Sequence, residues 1–397
     1  MNDDMSTNQH SAQQNQQINL LNVALRMLFH SRKKLIGMMV GATFSAFILM
    51  QQPGIYRGVI DRLVAQVQSM HEVDLWVMDK DAAAFEHPAL FTASDLYRVR
   101  SVPGVEWAVQ LYRFWFQLKH LKTNQNRTWE LVGVDPSLLV GLPKELIAGK
   151  REHIHLANSI IIDGYSMKQL ETDDQNTVQL GDNLLEGHHT WRVMGVTKPL
   201  RTYMTQPKLY MASNHIPGLA GRPSFILVKV KPNYAVDDVA RKIHDLTHFD
   251  ALTPLQFEQR TKVYFRKKTP IVINFVSVAI LGFIIGLIVM WQIFSNFILT
   301  HLHQFGMLKM LGVSNQLLRR MVLFQASIIG WGGYVMGLLL TVVFGMIFYD
   351  TIVAFHLTWG IALLGALGSA VIIVLSSYFS ILKVIRLDTV ELCRDLN

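Results

Sequence analysis

The sequence predicts a membrane protein with four transmembrane α-helices, one before and three after an inserted α+β domain, and three observations carry that expectation. Half of the 397 residues are hydrophobic and only 17% are charged, and the mean hydropathy is positive, a balance ordinary for membrane proteins and unusual for soluble ones. Four apolar runs contain no Lys, Arg, Asp or Glu. The first is at the short limit for crossing about 30 Å of hydrocarbon at about 1.5 Å per residue, and the other three exceed it. Between the first and second runs lie roughly 215 residues of mixed texture, enough for one sizeable domain or two small ones.

Residues 1–34 precede the first span. "MNDDMSTNQHSAQQNQQINL" is rich in Asn and Gln and low in hydrophobicity, the composition of a disordered tail. Leu21, Ala24, Leu25, Leu28 and Phe29 then fall on one helical face with Asn22, Arg26 and His30 opposite. Such a helix lies on the inner membrane surface or simply extends the first span, and the residues leave both readings open. The first span is assigned to 35–52, "LIGMMVGATFSAFILM" with Gln51 and Gln52 completing it. It reads as a retained anchor: the run exceeds a signal-peptide core, begins far from the N-terminus and ends in "LMQQPG" with no small-x-small site.

Residues 53–268 form the inserted domain. "VDLWVM" (73–78), "WELVGV" (129–134), "SIIID" (159–163), "WRVMGV" (191–196) and "FILVKVK" (225–231) are short, rich in β-branched and aromatic residues, and bounded by turn formers, so they are expected strands. "ASDLYRVRSV" and "YAVDDVARKIHDL" are expected amphipathic helices. Three spans follow, at 269–300, at 321–349, and within 350–382 after a short outer connector; a loop, 301–320, joins the first two and a tail, 383–397, ends the chain.

Lys and Arg set the orientation. Arg32, Lys33 and Lys34 precede the first span, Lys309, Arg319 and Arg320 lie in the 301–320 loop, and Lys383, Arg386 and Arg394 follow the last span. Both termini and that loop are therefore expected in the cytoplasm. Arg266, Lys267 and Lys268 abut the second span on the outer side, an exception that a long translocated domain tolerates. The single Cys, Cys393, lies in the tail, so the outer domain folds without a disulfide. The net charge of +8 gathers at span ends, where anionic lipid headgroups account for it. No nucleic-acid motif accompanies it, so nucleic acid is not an expected partner.

The loop "HLHQFGMLKMLGVSNQLLRR" carries the most pattern. Leu302, Phe305, Leu308 and Leu311 recur every third residue, Met307, Met310 and Val313 form an adjoining row, Gly312 suits a helix C-terminus and Ser314 can cap the next helix. The expectation is a helix, a tight break and a second helix that becomes the third span. Its apolar side needs a cover, either a protein partner or lipid. Gly333 and Gly337 form a G-x-x-x-G that permits close helix packing.

"FGMLKMLGVSNQLLRRMVLFQASIIG" resembles the corresponding stretch of the FtsX-like permeases of ABC transporters, the MacB and lipoprotein-exporter superfamily. Their pattern there is aromatic-Gly-x-Leu-Lys-x-Leu-Gly-x-Ser-x-x-x-Leu before a span that opens with Gln-Ala. "ILMQQPGIYRGVIDRLVAQVQSMHEVDLWVMD" is similar to the DevC type, associated with glycolipid export, and "VQLGDNLLEGHHTWRVMGV" to MacB-like periplasmic domains. One departure is His303 and Gln304, where many relatives have Arg-Glu.

The resemblance implies a bacterial inner-membrane permease that works as a homodimer. Each copy docks on a cytoplasmic ABC ATP-binding subunit through the 301–320 loop, with Phe305, Gly306, Leu308, Lys309, Leu311, Gly312 and Ser314 as coupling residues. It further implies export of a lipid-like or small-molecule cargo through a periplasmic adaptor and an outer-membrane channel. The alternative within the superfamily is FtsX-type signalling to cell-wall hydrolases. The chain lacks a G-x-x-x-x-G-K-[ST] loop, so ATP and Mg belong to the partner and no catalytic or cofactor residue is expected here. The expected spans hold no charged side chain to line a proton or ion path. His153 and His155, read as a strand H-x-H, and the pair His188 and His189 lack a carboxylate at diagnostic spacing, and no metal site is expected.

Overall fold

In the computed structural model the described residues are 22–30, 32–70, 72–88, 91–121, 124–167, 178–203, 206–216, 222–349, 351 and 353–385, without the side chains of 93 and 381–385. The expected disordered tail, Leu21, Cys393 and most of the 383–397 tail lie outside them. The chain divides into two compact units, Met1–Gly58 with Ile271–Asn397, and Val59–Pro270.

The first unit is helical. A short helix, α1, covers residues 22–30. Helix α2, Arg32–Gln68, passes through Pro53, and its residues from Val59 on belong to the second unit. The remaining helices are α7 (Ile271–Thr300), α8 (Leu302–Met310), α9 (Asn315–Ile347) and α10 (Trp359–Ile385). Among the described residues four helices are long and apolar enough to cross a membrane: α2, α7, α9 and α10 to Ser380. This is the predicted order of one span, a domain and three spans.

Apolar surface is no reason for helices to associate in lipid, so close backbone approach must supply the contact. A Cβ added at Gly333 of α9 would come within 2.2 Å of the Ala42 Cβ of α2, and one at Gly337 within 2.7 Å of that of Ala46. Both glycines are therefore occupied by α2 of the same chain. Two buried hydroxyls in this unit bond within their own helices: Thr341 Oγ1 donates to the Gly337 carbonyl at 2.8 Å and Ser377 Oγ to that of Ile373 at 2.6 Å.

The second unit is α+β. Its strands are β1 (Leu75–Met78), β2 (Val105–His120), β3 (Asn126–Val134), β4 (Leu146–Gly149), β5 (Ser159–Asp163), β6 (Asn183–Glu186), β7 (His189–Thr197), β8 (Lys208–Ala212), β9 (Phe225–Val230) and β10 (Asp250–Leu252). They run in the order β10-β1-β9-β2-β3-β8-β5-β7-β4, with β6 on β2 and β7. All five strands expected from sequence are present. Strand β2 organises the sheet: Val105 to Leu111 pair with β9 and Tyr112 to Lys119 with β3, joining two subsheets.

On one face of the first subsheet α3 (Ala93–Arg100) and α5 (Val236–Thr247) bury Leu96, Val99, Val239 and Ile243 against Leu75, Val77, Ile226 and Val228. On the other, Trp76, Phe85 and Phe225 meet Phe257 of α6 (Pro254–Lys268) in an aromatic cluster with ring centroids 5.4 to 6.3 Å apart. A further short helical turn, α4, occupies residues 164–167. His153 and His155 lie in a 3-10 turn, Arg151–His155, where the sequence had suggested a strand. The His153 Nδ1 is bonded inside that turn, accepting from the Lys150 amide at 3.3 Å.

Candidate functional site

The patterned loop is built by local chemistry. Helix α7 ends at Thr300, and the chain turns at buried His301, whose ring lies 4.4 Å from that of Phe297 and whose Nδ1 is 2.9 Å from the Phe297 carbonyl. Helix α8 follows for nine residues. It stops because Gly312 takes φ +86°, a left-handed conformation open to glycine. The Gly312 amide donates to the Lys309 carbonyl and the Val313 amide to that of Leu308, each at 3.1 Å, the paired bonds of a Schellman cap. Ser314 then caps α9 by accepting from the Leu317 amide at 3.4 Å.

The side chains of α8 divide between two faces. Phe305 is 1% exposed and Gly306 is buried, while Leu302, Leu308 and Val313 pack partly buried against the same cluster. That cluster draws Ala24, Met27 and Leu28 from α1, Phe294, Phe297 and Ile298 from α7, and Leu318, Met321 and Val322 from α9. Helix α1 is held there by the buried Gln325 as well, whose Nε2 donates to the Ala24 carbonyl at 2.9 Å. The apolar face of α1 is thus turned into the protein at Ala24 and Leu28, leaving Phe29 exposed.

The outward face is Met307, Met310 and above all Leu311, the last 81% exposed. Phe305, Leu308 and Leu311 therefore do not share a surface, though the sequence places them in one row. A spacing of three lags the 3.6-residue turn by about 60° per step, so Leu302 and Leu311 end up about half a turn apart. The face also carries His303 and Gln304, and exposed Arg26, Arg32, Lys33, Arg319 and Arg320 stand on the flanking helices. Lys34 Nζ donates to Thr300 Oγ1 at 2.7 Å, joining α2 to the end of α7. Residues 22–58 and 271–349 contain no Asp or Glu, so the charged side chains of these segments are all basic.

Solved structures similar to part of the chain include three domains. The extracellular domain of the ABC-type transporter YknZ from Gram-positive bacteria is 19% identical, the match covering 46% of this chain and 99% of that one, with a TM-score of 0.33. The periplasmic region of MacB from Actinobacillus actinomycetemcomitans is 12% identical over 49% of this chain and 95% of that one, at 0.36. A domain of a permease protein from Porphyromonas gingivalis is 15% identical over 46% and 91%, at 0.34. No curated protein matches the chain. Residues 276–389 match the family model described as FtsX-like permease C-terminal, a stretch that contains all of α8 and α9.

Proposed function

We propose that the chain is the transmembrane permease subunit of an ABC exporter, set in a bacterial inner membrane with both termini in the cytoplasm, and that α8 and its turn receive a separate ATP-binding subunit. The observation that carries this reading is the match over residues 276–389 to the FtsX-like permease domain. Within that stretch Met307, Met310 and Leu311 form an exposed apolar knob among basic side chains. Such a knob calls for an apolar pocket with an acidic rim on the partner, the pocket supplying affinity and the rim orientation. Phe305, Gly306 and Leu308 serve the site by holding α8 to the bundle, Gly312 and Ser314 by shaping its end, and Lys309 by flanking the knob.

ATP and Mg sit in the partner, and its closure drives the inserted domain to expel a lipid-like or small-molecule cargo. The DevC-type reading adds a periplasmic adaptor and an outer-membrane channel. A second copy of the chain completes the assembly. Because α2 occupies Gly333 and Gly337, that copy meets another surface, and Ile273, Ile280, Ile284 and Ile288, exposed along α7, offer one.

The test is affinity purification of the native chain and of a Leu311→Asp variant from the host's membranes, followed by mass spectrometry and an ATPase assay. An ATP-binding protein that accompanies the native chain and is lost from the variant supports the reading. Equal recovery with both chains would place docking elsewhere, and no ATPase in either would remove the export mechanism's energy source.

A further inference from the structure

Inside the second unit a chain of charged and polar groups is buried for which the proposed function has no use. Glu130 on β3 is its centre: Arg113 Nε of β2 donates to Oε1 at 2.6 Å, and Lys208 Nζ of β8 lies 3.5 Å from Oε2, all three side chains at most 3% exposed. From Lys208 the chain runs to α2, where Nζ donates to Gln66 Oε1 at 2.5 Å. From Arg113 it runs to the segment between β1 and α3, where Nη1 donates to the Glu86 carbonyl at 3.1 Å. The Arg113 guanidinium also stacks between Phe85 and Trp115, 5.3 and 5.2 Å from their ring centroids. The last turns of α2 are thereby tied to three strands.

Four side-chain atoms of this cluster are sealed from solvent without a hydrogen-bond partner: Gln66 Nε2, Glu86 Oε2, Arg113 Nη2 and Glu130 Oε2, the last with the Lys208 ammonium 3.5 Å away. An orphaned carboxylate oxygen is costly when ionised and cheap when the carboxyl is protonated, so the cluster holds Glu86 in its neutral form more readily than water does. The charged groups acting on Glu86 are Arg113 from β2, Glu130 from β3 and Lys208 from β8. On its other side its neighbour His87 meets the rings of Tyr264 and Phe265 of α6. Burial pushes the Glu86 carboxyl up to about 7, with Glu130 adding to it and the two cations falling short of cancelling it. Glu130 goes the other way: burial would raise it, but Lys208 and Arg113 together hold it below the usual carboxylate range. The Glu86 residue keeps part of its surface open, which gives a proton its route.

We propose that Glu86, Arg113, Glu130, Lys208 and Gln66 form a proton-responsive latch that holds the last turns of α2 on the sheet, with Glu86 as the group that gains and loses the proton. The latched state binds one more proton than a released state in which Glu86 behaves ordinarily. Rising pH therefore favours release, over the window from about 4.5 to about 7 and with no further gain above it. The shift corresponds to a change in the latch equilibrium on the order of a hundredfold. The outer domain would then answer to the acidity of the compartment it occupies, whatever motor drives the chain.

The test is amide hydrogen exchange of the full-length chain in detergent micelles, read by mass spectrometry for residues 59–68 and 82–88 between pH 5 and 8 and corrected for intrinsic exchange. Opening in the native chain should rise on the order of a hundredfold across this range. Glu86→Gln, a permanent mimic of the neutral acid, should stay protected at every pH, and Lys208→Met should loosen 59–68 throughout. A native profile that is flat with pH, or a Glu86→Gln profile that keeps the slope, overturns the proposal. The native profile decides alone if the variant does not fold.

Discussion

Phe305 and Leu311 lie six residues apart in one loop and should fail in opposite ways. Phe305 is 1% exposed, with aliphatic neighbours from α1 and α9 and aromatic ones from α7. Cutting it to Ala leaves a cavity that the surrounding helices fill only in part, and buried Phe→Ala changes cost about 3 to 5 kcal/mol. Leu311 is 81% exposed, so Leu311→Asp gives up little burial and should stay within about 0.5 kcal/mol of the parent. Thermal unfolding of the two variants in one detergent, followed by tryptophan fluorescence, supplies the stability comparison, and recovery of the ATP-binding partner supplies the functional one. Phe305→Ala should lower the transition temperature and lose the partner in proportion to the unfolded fraction. Leu311→Asp should leave the transition in place and lose the partner outright. A destabilised Leu311→Asp, or a Phe305→Ala as stable as the parent, would refute the division of the loop into an inner and an outer face.

Gly333→Leu forces a side chain into the Ala42 backbone and Cβ, so the α2 to α9 contact must open; the variant should unfold several degrees lower and expose a cleavage site to limited proteolysis. Gly312→Ala keeps the space, with nothing within 4 Å of the new Cβ, but pays for φ +86°; a loss of about 1 kcal/mol is expected, read as a small drop in transition temperature. Glu130 titrates below its ordinary value when folded, so its contribution is present above about 4.5 and lost as pH falls through the folded value; Glu130→Gln should remove that part of the acid-unfolding profile.

Much of this architecture is legible in the residues, and the parts that are not have physical reasons. Strands such as Ser159–Asp163 and Phe225–Val230 are short apolar runs between turn formers and declare themselves. Strand β2 does not, because "VEWAVQLYRFWFQLKH" carries Arg113 and Lys119 in a run that reads as a surface segment. Only the fold shows that Arg113 is neutralised by Glu130, seventeen positions along the sequence and on the neighbouring strand. The sequence assigns the first span to 35–52, just before Pro53 and Gly54, two residues that ordinarily close a helix, yet α2 continues to Gln68. There Gly54 also accepts a bond from the His356 amide at 3.0 Å, a contact across the bundle with no local sign. Helix α6 carries a local sign in its sequence: Thr253 and Gln256 bond reciprocally as a capping box, with Pro254 at the first helical position. In the candidate site, the cap at Gly312 and Ser314 is local and readable, whereas the choice between Phe305 and Leu311 depends on which neighbours arrive from α1 and α9.

The same choice explains how a push on this loop can travel. Helix α8 is short, and nine residues are too few to hold a helix in water by themselves. Its order comes from the cluster it shares with α1, α7 and α9, which continues through Ala326 and Ile329 to Ile372 and Ile373 of α10. Close-packed interiors have low compressibility and few voids to absorb a displacement. Only four residues, Leu311 to Ser314, separate α8 from a helix that runs on to Ile347, and the Schellman bonds of Gly312 and Val313 and the Ser314 cap fix them to the two helix ends. A load applied at Leu311 therefore meets no flexible element before α9. It must either move that helix as a body or break the burial of Phe305, and breaking it costs about as much as the Phe305→Ala change itself, roughly 3 to 5 kcal/mol. If α8 receives an ATP-binding subunit as proposed, this stiffness carries the partner's motion into α9, where a few polar residues would have closed the gap without transmitting it.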